Sequence, residues 1–217
     1  MNAVVAFDLD DTLYPEYDFV VSGYRAVAEL LPQSDRQRAF EVMSQAYDAG
    51  VNPFDALVAA TNCTVPIADM VDAYRYHKPT LRLDPTVRAT LQRLKDAGVG
   101  FALITDGRTA TQRNKIEALG LDGFFGNQIY ISEAEGVDKT CTQSFERVMA
   151  TLPAERYVYV GDNPAKDFVA PNRLGWLTVC LRGTDRNVHP QDIEVGESFR
   201  PKATVDRIAD VCNLILK

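Results

Sequence analysis

The sequence predicts an α/β fold, a doubly wound parallel sheet with an inserted all-α subdomain. Three observations support this prediction. Short apolar runs rich in β-branched and aromatic residues recur along the chain, helical patterns separate the later runs, and one long stretch near the N-terminus contains helical patterns only. Strands that alternate with helices favour a parallel sheet covered by helices on both faces.

Five apolar runs are predicted to be buried strands. They are, in chain order, residues 4–7, 101–104, 129–131, 157–160 and 177–181. Apolar residues at helical spacing occur outside these runs, at Val87, Leu91 and Leu94, at Ile116 and Leu119, at Phe145, Val148, Met149 and Leu152, and at Val205, Ile208, Cys212 and Ile215. We expect these groups to mark helices that pack on the sheet.

Residues 14–84 show no strand pattern. Their apolar residues follow helical spacing in groups at 20–31, 40–47 and 67–74, and Pro32, Pro53 and Pro66 punctuate the helices. The sequence therefore predicts a helical subdomain over 14–84, inserted into a core made of residues 1–13 and 85–217. A chain of 217 residues can hold one core of ordinary size with such an insertion, but two full-size domains would be tight.

Composition narrows the classes of function. Hydrophobic residues make up 46% of the chain, as in globular proteins, and a net charge of -7 gives no basic field for a nucleic acid polymer or an anionic membrane. No apolar run reaches membrane-spanning length and no signal sequence is evident, so we expect a cytoplasmic location. The four cysteines lack CxxC spacing, and only two histidines occur, which disfavours a zinc site or a histidine-based triad.

Asp8 and Asp10 stand directly after the first predicted strand, in the segment Phe-Asp-Leu-Asp-Asp-Thr-Leu at 7–13. Alternation along an extended chain points both carboxylates to the same side, where they repel unless a cation lies between them or one keeps its proton. A capping turn explains the Asp-Asp-Thr segment but leaves Asp8 unexplained. The pair therefore indicates chemistry.

Three further strand ends carry polar residues. One is followed by Thr105, Asp106 and Gly107, the next by Ser132 and then Lys139, and the third by the segment from Gly161 to Asp167 that contains Asp162 and Asn163. Ligands of such sheets bind beyond the carboxyl ends of the strands. Carboxylate oxygens are hard ligands, and the hydroxyl and ammonium groups can bind phosphoryl oxygens. The sequence therefore predicts a site for magnesium and a phosphoryl group.

These four segments resemble the ordered motifs of the haloacid dehalogenase-like (HAD) hydrolase superfamily. The resemblance rests on Asp-Leu-Asp-Asp-Thr-Leu at 8–13, Ile-Thr-Asp-Gly at 104–107, Lys139 before a helix, and Gly-Asp-Asn-Pro-Ala-Lys-Asp at 161–167, and it spans nearly the whole chain. The insertion over 14–84 resembles the helical cap of subfamily I, whose cap lies between the first and second motifs. The core is then the Rossmann-like catalytic part.

The resemblance implies a phosphatase. It implies that Asp8 is the nucleophile that forms an aspartyl-phosphate and that Asp10 is the general acid and base. Thr105 and Lys139 would hold the phosphoryl oxygens as negative charge builds.

The resemblance also implies Mg²⁺ as the cofactor. Its ligands would be Asp8, Asp162 and the backbone carbonyl of Asp10. Asp167 would be either a further ligand or the group that orients Lys139 or a metal-bound water. Three more residues are expected to support the site, namely Asp106, Gly107 and Asn163.

Two assignments have competing interpretations. Thr105 could instead cap the helix that follows it. Lys139 is not followed by the proline usual among relatives, so it could be a surface lysine, and Lys115 competes for its role. Lys115 falls in the middle of a predicted helix, where lysines are commonly solvated, so we expect Lys139 to be the motif lysine.

Asp10 distinguishes chemistries within the superfamily. The resemblance implies that members that cleave carbon–halogen bonds lack an aspartate two residues after the nucleophile, whereas phosphatases and phosphomutases carry it. We therefore expect hydrolysis of a small phosphomonoester, either a sugar phosphate or a nucleotide. A phosphomutase and a non-catalytic phosphate-binding regulatory module are the alternatives. The sequence does not indicate the oligomeric state.

Overall fold

The computed structural model describes residues 2–61, 63–184 and 186–216. By its internal contacts the chain divides into two compact units. The larger unit comprises Met1–Glu16 and Arg82–Lys217, and the smaller unit is Tyr17–Leu81. No helix in the described ranges has both the length and the apolar character needed to cross a membrane.

The smaller unit is helical. Its helices are α1 (Glu16–Ala28, whose first residue belongs to the larger unit), α2 (Arg36–Asp48), α3 (Pro53–Ala60) and α4 (Ile67–Tyr76). They bury a common core that includes Tyr24, Met43, Leu57 and Met70. Helix α3 lies outside the three predicted groups. Its Pro53 begins the helix, because proline fits the first helical position and the Asn52 side chain caps the N–H groups that follow.

The larger unit contains a six-stranded sheet. The strands are β1 (Ala3–Phe7), β2 (Gly100–Thr105), β3 (Ile129–Ile131), β4 (Arg156–Gly161), β5 (Leu177–Leu181) and β6 (Ala203–Val205). All pairings are parallel, in the order β3-β2-β1-β4-β5-β6. The predicted fold class is thus confirmed. The strand order reverses between β1 and β4, and this reversal forms a ligand crevice at the carboxyl edge of a doubly wound sheet.

The helices of the larger unit lie between these strands in the sequence, except the last helix, which follows β6. They are α5 (Pro85–Asp96), α6 (Thr109–Leu119), α7 (Asp122–Phe125), α8 (Ser132–Glu135), α9 (Gln143–Thr151), α10 (Val169–Arg173) and α11 (Val211–Ile215). The patterns that predicted α5, α6 and α9 are confirmed, although Leu152 follows the end of α9. Helix α6 ends at Leu119 and is capped by Gly120, whose φ of +65° places it in the left-handed region that glycine adopts without strain.

The prediction of one helix from Val205 to Ile215 is wrong at its start. Val205 ends β6, Ile208–Asp210 forms a 3-10 helix, and the α-helix α11 begins only at Val211. The apolar spacing suits a helix, but the backbone of this segment pairs with β5, and the Arg182 N–H donates to the Val205 carbonyl (2.8 Å). Pairing with a distant strand thus overrides the local pattern.

Candidate active site

Asp8 follows β1 at the crevice, beside the ends of β2 and β4. The register pairs Phe7 with both neighbouring strands, and the Asp8 N–H donates to the Val160 carbonyl (2.9 Å). The Asp8 carboxylate is buried, with Oδ1 2.8 Å from Lys139 Nζ. Burial is the main cause that raises the pKa of Asp8 well above its usual value. The charges of Asp167 and Asp162 raise this pKa further, and the charge of Lys139 lowers it. Asp8 therefore lies between one cation and a group of anions.

Asp8, Asp162 and Asp167 form that acidic group. One carboxylate oxygen from each lies within 4.8 Å of the others. Burial raises the pKa of Asp162 to about 7, with further increases from the charges of Asp167 and Asp11. Carboxylates crowded in a buried site repel one another unless a cation lies between them. This clustering fits a bound cation.

Asp167 also has an oxygen available to that cation. Its Oδ1 lies 2.7 Å from Lys139 Nζ, yet it has no partner with hydrogen-bond geometry among the described residues. The donors of this group are all oxygens, which suits Mg²⁺, whereas zinc prefers nitrogen and sulfur ligands. The residues present therefore fit the magnesium ion that the sequence predicts.

The other oxygen of Asp167 holds the loop after β4. Oδ2 accepts the N–H groups of Asp162 (3.0 Å) and Asn163 (2.9 Å), and Asn163 Oδ1 in turn accepts the N–H of Ala165 (3.0 Å). Gly161 makes this possible, because a Cβ at that position would lie 2.3 Å from Asp167 Oδ2. Asp167 thus orients the loop with one oxygen and contacts Lys139 with the other.

Lys139 is buried, with 6% of its surface exposed. Its ammonium group lies between Asp8 and Asp167. Burial lowers the pKa of Lys139, but the charges of Asp167 and Asp8 outweigh it and raise the pKa well above its usual value. The backbone N–H of Lys139 donates to Asp106 Oδ1 (3.1 Å), which fixes the segment after β3 to the end of β2. The alternative that Lys139 is a solvated surface residue is therefore wrong.

Asp10 has its own set of partners, separate from those of Asp8. Oδ1 accepts the Tyr14 hydroxyl (2.5 Å) and Lys115 Nζ (2.7 Å), and Oδ2 accepts Gln112 Nε2 (2.8 Å). Burial favours a higher pKa for Asp10, but the charge of Lys115 and the hydrogen bonds from Lys115, Tyr14 and Gln112 lower it. The expectation that Lys115 is solvated is wrong. It projects from the middle of α6, but only 3% of it is exposed, because the helix faces Asp10.

Thr105 ends β2 and points into the same cluster. Its Oγ1 accepts Gln112 Nε2 (2.7 Å), and α6 begins only at Thr109, so Thr105 does not cap that helix. Between them, Gly107 has a φ of +144°, which favours glycine. Its N–H donates to Ser132 Oγ (2.9 Å), and this bond joins the ends of β2 and β3.

The loop after β5 contributes residues that the sequence did not single out. Asn187 Nδ2 donates to Asp162 Oδ2 (3.2 Å), and Gln191 Nε2 donates to the Asp162 carbonyl (2.7 Å). The Val188 N–H donates to Asp11 Oδ2 (2.8 Å). No motif marks these positions. The one available signal is that this loop, like the others, follows the carboxyl end of a strand.

A cavity of ≈ 110 Å³ within the larger unit joins these side chains. Its lining comprises Asp8, Asp10, Asp11, Glu16, Thr105, Asp106, Lys139, Asp162, Asn163, Lys166 and His189. The lining includes most of the site residues predicted from the sequence, but not Gly107 or Asp167.

Comparison with known proteins identifies the family. The sequence profile of the haloacid dehalogenase-like hydrolases matches residues 3–175. The chain belongs to this family. All four segments that carry the resemblance lie inside the matched range. The protein is therefore a HAD-like hydrolase.

Several relatives of this HAD-like hydrolase are named as phosphatases. The glyceraldehyde 3-phosphate phosphatase of Methanocaldococcus jannaschii is 32% identical over 203 residues, which cover 87% of this chain and 89% of the relative. The enzyme of the same name from Methanopyrus kandleri is 29% identical, with coverage of 97% and 99%. The ribulose-1,5-bisphosphate 5-phosphatase of Halopiger xanaduensis is 27% identical, with coverage of 99% and 100%.

Solved structures show how widely the fold of this HAD-like hydrolase is shared. A HAD-hydrolase from Bacillus subtilis, solved bound to magnesium, has a TM-score of 0.70 at 18% identity and covers 99% of this chain and 98% of its own. The L-2-haloacid dehalogenase of Xanthobacter autotrophicus has a TM-score of 0.61, also at 18% identity, with coverage of 100% and 99%. Since both share the fold, the fold alone does not decide which bond is cleaved.

Proposed function

We propose that the protein is a magnesium-dependent phosphatase that hydrolyses a small phosphomonoester through an aspartyl-phosphate on Asp8. One observation carries this proposal. Asp8 and Asp10 lie two residues apart yet have different partners, since Asp8 contacts Lys139 and the acidic group while Asp10 contacts Lys115, Tyr14 and Gln112. Two carboxylates in distinct environments suit two distinct roles.

In the first half-reaction, an oxygen of Asp8 attacks phosphorus and the bond to the leaving oxygen breaks. In the free protein the charge of Lys115 lowers the pKa of Asp10, so we propose that Asp10 takes up a proton as the anionic substrate binds beside it, because nearby negative charge raises the pKa of a carboxyl group. Asp10 then donates that proton to the leaving oxygen. In the second half-reaction, Asp10 accepts a proton from water, the water oxygen attacks phosphorus, and the Asp8 carboxylate departs. Lys139 and Thr105 are proposed to hold the non-bridging oxygens, because both line the cavity next to Asp8.

Asp8, Asp162 and the backbone carbonyl of Asp10 are proposed to hold Mg²⁺, with Asp167 Oδ1 available beside them. When bound there, Mg²⁺ would neutralise carboxylate charge and polarise phosphoryl oxygens. The cation matters because the phosphate of a monoester carries about −1.5 to −2 charge at neutral pH. Without a cation, the acidic group would repel it.

The substrate is proposed to be a phosphorylated sugar. Support comes from relatives named for glyceraldehyde 3-phosphate and ribulose-1,5-bisphosphate, which match nearly the whole chain. We propose that the cavity of ≈ 110 Å³ holds the phosphoryl group and the metal ion and that the rest of the substrate extends beyond it. We propose that residues 14–84 act as the cap that selects this part, that the protein works in the cytoplasm, and that it needs neither a nucleic acid polymer nor a membrane.

The test is phosphate release by purified protein with Mg²⁺, comparing the wild type with Asp8→Asn and Asp10→Asn. The control is Asp96→Asn, since Asp96 is exposed at the end of α5. We expect Asp8→Asn to be inactive, because an amide neither attacks phosphorus nor balances the metal charge. Asp10→Asn should lose roughly 10²- to 10⁴-fold on an alkyl phosphate and less on an aryl phosphate, whose leaving group needs little protonation. Substantial turnover by Asp8→Asn would contradict the proposal.

A further inference from the structure

Lys115 belongs to a buried polar cluster that surrounds Asp10. Tyr14, Gln112 and Lys115 are each less than 5% exposed. Together they direct a hydroxyl, an amide and an ammonium group to the two oxygens of one carboxylate. A carboxylate held from both oxygens has little freedom to rotate, so the cluster fixes where its proton can be given or taken.

Helix α6 supplies two members of this cluster. Gln112 and Lys115 lie one turn apart on it, and both reach Asp10 across more than a hundred residues of sequence. Gln112 Nε2 also donates to Thr105 Oγ1 (2.7 Å), so the same amide joins Asp10 to the end of β2. The helix is thereby fixed to Asp10 and Thr105 together.

The charge of Lys115 is balanced inside the cluster. Nζ lies 2.7 Å from Asp10 Oδ1 and 3.8 Å from Glu16 Oε1. In the same way, the charge of Lys139 is balanced by the carboxylates of Asp8 and Asp167. Apolar residues of similar volume often replace a buried ion pair without loss of stability, or with a gain. Stability alone therefore does not account for a lysine buried at this position.

We propose that Lys115 is a positioning residue for the reaction, which acts by holding the Asp10 carboxylate in the orientation needed for proton transfer. The inference rests on the proposed function, because it assigns proton transfer to Asp10. It gives the two lysines of the site separate tasks. Lys139 contacts Asp8 and binds the phosphoryl group, whereas Lys115 orients Asp10 without contacting the substrate.

A double-mutant cycle tests this inference. Wild type, Lys115→Met, Asp10→Asn and the double variant are assayed with Mg²⁺ on an alkyl and an aryl phosphate. Lys95→Met is the matched control, since Lys95 is an exposed helical lysine of the same unit. Lys115→Met should lower kcat on the alkyl phosphate by roughly 10- to 100-fold, as small misplacement of a reacting group does, with little change in KM. The loss on the aryl phosphate should be smaller.

The double variant separates positioning from a structural role. If Lys115 acts through Asp10, Lys115→Met causes no further loss of kcat in the Asp10→Asn background, because the two effects are not additive. An equal loss in both backgrounds, or an unchanged kcat in Lys115→Met, overturns the inference while leaving the phosphatase proposal intact. If thermal denaturation shows that Lys115→Met is unfolded, Lys115→Gln replaces it in the double-mutant cycle, and the same outcomes support or overturn the inference. A wild type that releases no phosphate from any phosphomonoester overturns both proposals.

Discussion

The metal-free protein should lose stability as pH rises from 5 to 7. Burial, with the charges of neighbouring carboxylates, raises the pKa of Asp162 from 3.8 to about 7 and that of Glu16 from 4.5 to about 7. Over this range the folded protein binds protons that the unfolded chain has already released. The stabilisation is therefore complete below the unfolded pKa values and disappears as pH rises through the folded ones.

The size of the effect follows from these two pKa values. Each group should remove about 2 kcal/mol of unfolding free energy between pH 5 and 7, at a slope that does not exceed roughly 1.4 kcal/mol per pH unit. Asp8, whose pKa is also raised, contributes in the same direction. A loss of this size is a large fraction of the ~5 to 15 kcal/mol that holds a typical domain folded.

Urea unfolding at pH 5, 6 and 7 in the presence of a chelator measures this loss. Mg²⁺ should reduce this loss of stability, because the ion favours the charged form of Asp162. In the absence of metal, Glu16→Gln should remove the part of the loss that Glu16 causes. Glu117→Gln, at an exposed position of α6, should leave the slope unchanged. A stability that stays constant or rises between pH 5 and 7, or a slope that neither Mg²⁺ nor Glu16→Gln alters, would refute the reasoning.

Three further outcomes are expected. Chelator should abolish phosphate release, Mg²⁺ should restore it and zinc should not, which a phosphate assay would show. Gly161→Ala should weaken Mg²⁺ binding in calorimetry by displacing Asp167, whereas Gly123→Ala, which meets no atom within 4 Å, should not. Lys139→Met leaves two buried carboxylates without their cation and should destabilise the protein by roughly 3 to 5 kcal/mol in urea unfolding. The control Lys166→Met should cost less than about 1 kcal/mol, because the ion pair of Lys166 with Asp106 is partly exposed.

Five of the six strands could be predicted because each carries its own local signal, a short run rich in apolar, β-branched and aromatic residues. The sixth could not, because Val205 is the one buried residue of β6 and it continues a helical spacing, whereas all three residues of the equally short β3 are buried and apolar. Its pairing partner in β5 decides its conformation, and that partner is distant in sequence. Helix α3 could not be predicted for a different reason, because a proline at the first position of a helix has the same local pattern as a proline that separates two helices.

The sequence by itself determined the chemistry available at the sheet edge. Asp8, Thr105, Lys139 and Asp162 follow predicted strands, and the topological rule for parallel sheets brings such positions together without knowledge of packing. Order along the chain was therefore enough to predict a site for a cation and a phosphoryl group.

Only the tertiary structure decided which lysine forms an ion pair with which carboxylate. The local sequence around a lysine in a helix predicts that its side chain is solvated. Lys115 contacts Asp10 because α6 packs against a residue far earlier in the chain. The contacts of Asn187 and Gln191 with Asp162 likewise depend on how the loop after β5 folds back. The physical reason is that burial of a charge is favourable only when its partner is in place, and the partner's position is a property of the packed chain.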